Sequence, residues 1–149
     1  ERYRQGAYHE ALELFETIAA APDDPTEDPG YWESVAAQES LRETLLHLLA
    51  DRDLDAIVFP DGRVVPPRYE AIQRGDITRE DYPVNTVISS QSSCPSISMP
   101  AGFTDDGLPV GVELLTAPYN ELLLFEMAAA YERRAKTRRP PTATPPLEE

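Results

Sequence analysis

Four serines and the chain's one cysteine crowd into six consecutive positions, Ser89-Ser90-Gln91-Ser92-Ser93-Cys94. A serine hydroxyl becomes a nucleophile beside a base, and the oxyanion it generates needs backbone amides, usually from a glycine-rich loop. This run holds no glycine, so it does not read as such a loop. Cys94 has no His, Asn or Asp partner in a suggestive motif, and reads as a small buried residue ahead of a strand. His47, inside Leu45-Leu46-His47-Leu48-Leu49, reads as a packed helix histidine, as does His9. Two distant histidines and a lone cysteine offer no metal-ligand spacing and no disulfide, and no cofactor is implied. Asp105-Asp106-Gly107 is turn chemistry, because the rest of a calcium loop is missing. Lys136, the only lysine, stands among Arg134, Arg138 and Arg139. A solvated helix end fits that cluster better than a catalytic base or a phosphate patch.

These residues share a strongly acidic chain: 27 Asp and Glu against 13 Lys and Arg over 149 residues, for a net charge of -14. Such a surface repels nucleic acid and anionic membranes, so neither is expected as a partner. No run approaches the ~18 consecutive apolar residues of a membrane span, and no signal-peptide pattern is present. The cytoplasm is the expected compartment. The acidity also suits a salt-rich cytoplasm or a GC-rich genome. A chain this long makes one ordinary domain and can bury ~70% of its unfolded surface, and 41% hydrophobic residues supply a core. It opens at Glu1 in mid-pattern, which fits a piece of a longer protein.

The elements that must position this chemistry alternate between helix and strand. Apolar residues at Ala11, Leu12, Phe15, Ile18 and Ala19 predict a helix over Tyr8 to Ala20. Asp28 followed by Pro29 starts a second helix, with Asp as N-cap and Pro at the first helical position. That helix should run to about Asp51, with Trp32, Val35, Leu41, Leu45, Leu46, Leu48 and Leu49 as its apolar side. Leu54 to Pro60 reads as a buried strand of a largely parallel sheet, closed by Pro-Asp-Gly. Asp61 to Asn85 is a long, weakly periodic loop with a short helix at Tyr69 to Arg74. Thr86 to Ser93 adds a helical turn. A strand from Ser96 ends at Pro100, Ala101 and Gly102 turn the chain, and a second strand occupies Val110 to Leu115. Asn120 then caps a helix over Glu121 to Ala135, whose terminal charges complement its dipole. Three strands make a poor sheet alone, and at least one edge would be open. This piece needs a larger sheet to join.

Two of these segments carry more specific wording. Pro95 to Gly102 reads Pro-Ser-Ile-Ser-Met-Pro-Ala-Gly, and Gly107 to Gly111 reads Gly-Leu-Pro-Val-Gly. They resemble the C-terminal part of the amidase signature family, whose members carry a Pro-Ala-Ile-Ser-Val-Pro-Ala-Gly strand followed by Gly-Leu-Pro-Val-Gly. Asp55-Ala56-Ile57-Val58-Phe59-Pro60 and Glu121-Leu122-Leu123 match flanking family blocks, so the resemblance covers about Gln38 to Arg134. It implies an α/β fold, here the C-terminal fragment of an α/β/α sandwich with a mixed central sheet. Residues 1–136 would belong to that domain, and 137–149 would form a Pro-rich tail, disordered or extended along the surface.

The resemblance also implies hydrolysis of a carboxylic amide to acid and ammonia or amine by a serine, a second serine and a lysine. None of these catalytic residues can be placed in this chain, which is therefore expected to be inactive alone and to depend on a missing N-terminal part. Asn85, Ser92, Ser93 and Cys94 are the substrate-binding candidates, because they precede a strand whose family equivalent flanks the substrate channel. Two departures matter. Ser93-Cys94-Pro95-Ser96 replaces the family's Gly-x-Pro-Ala. Pro83-Val84-Asn85-Thr86 keeps only the Thr of the Asp-x-Phe-Thr segment that helps hold glutamine in the transamidating branch. The expected partners are the missing amidase segment and a small-molecule amide, with a homodimer possible through an open sheet edge. Two other readings are a non-catalytic binding or assembly module on the same scaffold, and part of the A subunit of a glutamyl-tRNA amidotransferase.

Overall fold

The computed structural model describes residues 18–77 and 84–141. The chain divides into two compact units, Glu1–Glu39 and Ser40–Glu149. Most of the helix expected over Tyr8 to Ala20 lies outside the described residues, and Ile18 and Ala19 are helical.

In the first unit, a single 3-10 turn at Pro25–Glu27 is pinned by Asp24. Its Oδ1 accepts the Thr26 hydroxyl at 2.6 Å and the Thr26 amide at 2.9 Å. Those bonds, the hydroxyl first, hold the Asp24 carboxyl below its ordinary pKa. Helix α1 (Pro29–Asp51) follows, starting where the Asp-Pro signal predicts. Asp28 Oδ1 accepts the Gly30 amide at 2.8 Å, meeting one of the donors a helix start leaves free. The Tyr31 and Trp32 rings meet edge to face at 5.0 Å, and Trp32 and Val35 stay exposed.

In the second unit, α1 ends in a Schellman closure. Leu54 N–H donates to Leu49 O at 2.9 Å and Asp53 N–H to Ala50 O at 3.2 Å, with Asp53 left-handed at φ 50°. Of the apolar side predicted for α1, Leu49 alone is fully buried. Beyond it come β1 (Ile57–Pro60), α2 (Tyr69–Gln73), α3 (Val87–Ser92), β2 (Ser96–Phe103), β3 (Pro109–Leu115) and α4 (Glu121–Ala135). The strands form one sheet in the order β1-β3-β2, with both pairings antiparallel.

This corrects the parallel, buried reading of the first strand. β1 is an edge strand running antiparallel to β3, and Val58 is 61% exposed. A continuous apolar run marks a strand without saying which neighbour it pairs with or whether both faces are covered. The second strand is corrected too, since β2 continues through Pro100 to Phe103. The register slips between Pro100 and Gly102, leaving Ala101 as a bulge, with Gly102 at φ +151°. The chain reverses instead at Thr104–Leu108, where Gly107 at φ +81° donates to Thr104 O and Thr104 Oγ1 accepts the Leu108 amide.

α4 packs on β2 and β3. Met99, Leu114, Leu124 and Ala128 form the buried cluster there, flanked by Ile97, Val112, Met127 and Tyr131. Asn120 holds the N-cap position as expected, but its side chain makes no capping bond. Tyr131 Oη and Thr137 Oγ1 both donate to Pro100 O, along the outer edge of β2. Thr116, fully buried, clasps the far end of the sheet: its hydroxyl donates to Asp55 O at 2.8 Å and its amide to Pro95 O at 3.2 Å. Among the described residues, no helix is long and apolar enough to cross a membrane.

Candidate functional site

Helix α3 carries the serine-rich run, and its hydroxyls are occupied locally. Ser89 Oγ donates to Thr86 O, Ser90 Oγ to Val87 O, and Ser92 Oγ to Ile88 O at 2.7 Å. This back-bonding onto the preceding turn is what short polar side chains do inside helices. Ser92 is 1% exposed, and its Oγ also accepts the Cys94 amide at 3.4 Å. Cys94 is a free, buried thiol. Ser93 ends the helix in the left-handed region at φ 54°, with its side chain exposed.

Asn85 lies at the opposite end of α3. At about 1.5 Å per residue, the helix holds it roughly 12 Å from Ser93. Its Nδ2 donates to Pro60 O at 2.8 Å and its amide to Asp61 O at 2.9 Å, tying the start of α3 to the end of β1. A Gly62–Val84 bridge reinforces that junction. The four candidates thus divide. Ser92, Ser93 and Cys94 are contiguous around the α3–β2 corner, whereas Asn85 belongs to the β1 end. Pro83, the first residue of the segment compared with Asp-x-Phe-Thr, lies outside the described residues.

A second polar group stands on the sheet face that points away from α4. Side chains alternate along a strand, and directly paired residues share a face. Gly111 and Glu113 of β3, with Ser98 paired to Glu113, therefore lie opposite the Met99–Leu114 cluster. Asp61, just past β1, donates its amide to Gly111 O at 3.2 Å and accepts the Ser98 hydroxyl on Oδ1 at 3.2 Å. Its carboxylate lies over Gly111: a Cβ there would come within 1.9 Å of Asp61 Oδ2. A side chain at that position would have to displace the Asp61 carboxylate.

Asp61 and Ser98 open onto a groove of about 950 Å³, also lined by Pro100, Phe103, Gly111 and Arg138. The Arg139 guanidinium sits 3.7 Å above the Phe103 ring, a cation–π contact that brings the described start of the tail onto the sheet. Lys136 ends α4 in the left-handed region and is exposed. No group of three His, Cys, Asp or Glu suited to a metal occurs among the described residues.

Asp61, Ser98 and Glu113 were not singled out from the sequence, where Pro-Asp-Gly served only to close a strand. The available signal was Glu113 itself, a lone charge inside the apolar run Val110-Gly111-Val112-Glu113-Leu114-Leu115.

Comparison with known proteins gives the family. Residues 6–125 match the family model described as Amidase. A fatty acid amide hydrolase from Medicago truncatula is 29% identical over 130 residues, covering 83% of this chain and 19% of that protein. The A subunit of the glutamyl-tRNA(Gln) amidotransferase from Syntrophus aciditrophicus is 42% identical over 57 residues, or 37% of this chain and 12% of that protein. The native peptide amidase from Stenotrophomonas maltophilia superposes with a TM-score of 0.62 at 29% identity, covering 94% of this chain and 27% of that one. The α/β fold is shared with that solved peptide amidase. The chain spans about a fifth of the length of the curated fatty acid amide hydrolases it matches.

Proposed function

Because the chain belongs to the amidase family, we propose that it is the C-terminal segment of an enzyme that hydrolyses a carboxylic amide to the acid and ammonia or an amine. The family match over residues 6–125 carries this reading. In it, a serine outside this chain attacks the amide carbonyl, with a second serine and a lysine moving the proton to the leaving nitrogen. Backbone amides of a separate loop stabilise the oxyanion. The local engagement of Ser89, Ser90 and Ser92 and the helix-end position of Lys136 support a nucleophile and base from elsewhere.

This chain's contribution is positional. The β2–β3 hairpin and the α3–β2 corner form one wall of the substrate channel, where Ser93 and Asn85 meet the substrate at opposite ends of α3 while Ser92 and Cys94 hold the corner's shape. Loss of the Asp and Phe of Asp-x-Phe-Thr favours a general amidase over a glutamine-dependent amidotransferase.

The test pairs activity with covalent labelling. The protein encoded by the full open reading frame should release ammonia from simple amides, and a fluorophosphonate probe should label a serine upstream of Glu1. The 149-residue polypeptide alone should show neither turnover nor labelling. Turnover by that polypeptide, abolished by one substitution within it, would overturn the assignment of the chemistry. An open reading frame ending at these boundaries would instead favour a non-catalytic binding or assembly module.

A further inference from the structure

Helix α4 packs on one face of the sheet, and the chain that leaves it crosses to the other. Lys136, left-handed at φ 50°, turns the backbone off the helix axis toward the outer edge of β2. There the Thr137 hydroxyl donates to Pro100 O, beside the Tyr131 hydroxyl on the same carbonyl. Two residues later the Arg139 guanidinium lies 3.7 Å above the Phe103 ring. Phe103 pairs with Pro109, which shares its face of β3 with Gly111, so this second contact lies on the face away from α4. Arg138, Arg139, Pro140 and Pro141 then line the groove that Asp61 and Ser98 line from the sheet. Residues 138–141 are exposed, and the segment 137–141 belongs to no helix or strand. It is a short strap over one edge, anchored by a hydroxyl and a cation–π contact.

We propose that residues 137–141 are a detachable strap that gates this groove. Both anchors are weak: an exposed cation–π contact shifts an equilibrium about two- to fivefold, and one neutral hydrogen bond about two- to tenfold. Exposed elements with so few contacts open at far less cost than a packed core. The strap therefore lifts while α4 stays seated through Leu124 and Ala128. Pro140 and Pro141 keep it a strap, since neither has an N–H with which to add a strand to the β2 edge and both hold φ fixed. The groove is then narrow when Arg139 rests on Phe103 and wide when it does not. If the hairpin is a wall of the substrate channel, the strap sets how bulky an amide enters, a consequence that rests on the amidase reading above.

Arg139→Gln and Thr137→Val in the full-length protein each release one anchor, and limited trypsin cleavage followed by mass spectrometry reads detachment. Cleavage is measured after Lys136 in Arg139→Gln and after Arg138 in Thr137→Val, so neither substitution changes the two residues at the bond being cut. Each rate should rise about two- to fivefold, while Arg139→Lys, which keeps a cation over Phe103, should stay near the parent rate. Groove access is read by Ser98→Cys, labelled at that position with fluorescein maleimide and with iodoacetamide. Adding Arg139→Gln should raise the rate of the bulky reagent relative to the small one by about two- to fivefold. Unchanged cleavage in both variants would overturn the strap's attachment. Faster cleavage with an unchanged labelling ratio would overturn the gate. In Arg139→Gln, kcat/KM for 2-phenylacetamide should gain on that for acetamide by a similar factor. Should neither amide be hydrolysed, the amidase reading fails, while cleavage and labelling still decide the strap.

Discussion

The two faces of the β1-β3-β2 sheet solve opposite problems with the same three strands. On the face under α4, Met99, Leu114, Leu124 and Ala128 close against one another. On the other face stand Ser98, Glu113 and the overhanging Asp61 carboxylate, with one buried oxygen left without a donor among the described residues. Alternation along β3 produces the contrast: Val112 and Leu114 point one way, Gly111 and Glu113 the other. The first face stabilises the segment. The second carries polar groups in place of a core.

If that division is right, substitutions on the two faces should differ in size and in kind. Leu124→Ala should cost about 3 kcal/mol in equilibrium urea unfolding of the intact protein, since it removes a buried leucine and leaves a cavity between α4 and the sheet. Gly111→Ala should cost less, about 1 kcal/mol, because the new methyl can push the short Asp61 side chain aside. Its distinctive effect should be loss of the Asp61–Ser98 contact, read as a displaced Asp61 carboxyl resonance. Ser98→Ala should change stability by no more than about 0.5 kcal/mol, as for other exposed polar contacts. A Ser98→Ala cost approaching that of Leu124→Ala would erase the distinction between a face that carries the core and a face that does not.

The sheet's two edges repeat the lesson. The outer edge of β2 is met at one carbonyl, Pro100 O, by Tyr131 and Thr137, and Ala101 is bulged out of register. β1 lies at the other edge with Val58 exposed, because α4 lies over β2 and β3. Leu122 and Phe125 are likewise exposed on α4. These uncovered apolar side chains accord with a segment spanning about a quarter of the peptide amidase it superposes on.

Much of this was legible because it is written in short-range chemistry. Asp28-Pro29 starts α1 and Asp51 ends it, as read from the N-cap signal and the apolar period. Glu121 and Ala135 bound α4 where the charge pattern places them. The short helices at Tyr69 and Val87 fall where turn-rich, weakly periodic sequence allowed them. The Pro-Ala-Gly and Gly-Leu-Pro-Val-Gly wording identified the family before any fold was known. The misread details are those that depend on a partner strand. Ala101-Gly102 looked like a turn, since a bulge differs from a turn only in what lies across from it. β1 looked parallel and buried because a short apolar run records neither the direction of its neighbour nor how many of its faces are covered.

The sequence by itself determined where helices begin and end, which segments extend, and which family they belong to, since each of these follows from residues within a turn or two of one another. Only the tertiary structure decided that Asp61, Ser98 and Glu113, spread over 53 positions, stand on one face around Gly111. That outcome hangs on strand register, and a slip of one residue would send Glu113 into the apolar cluster and Leu114 to the polar side.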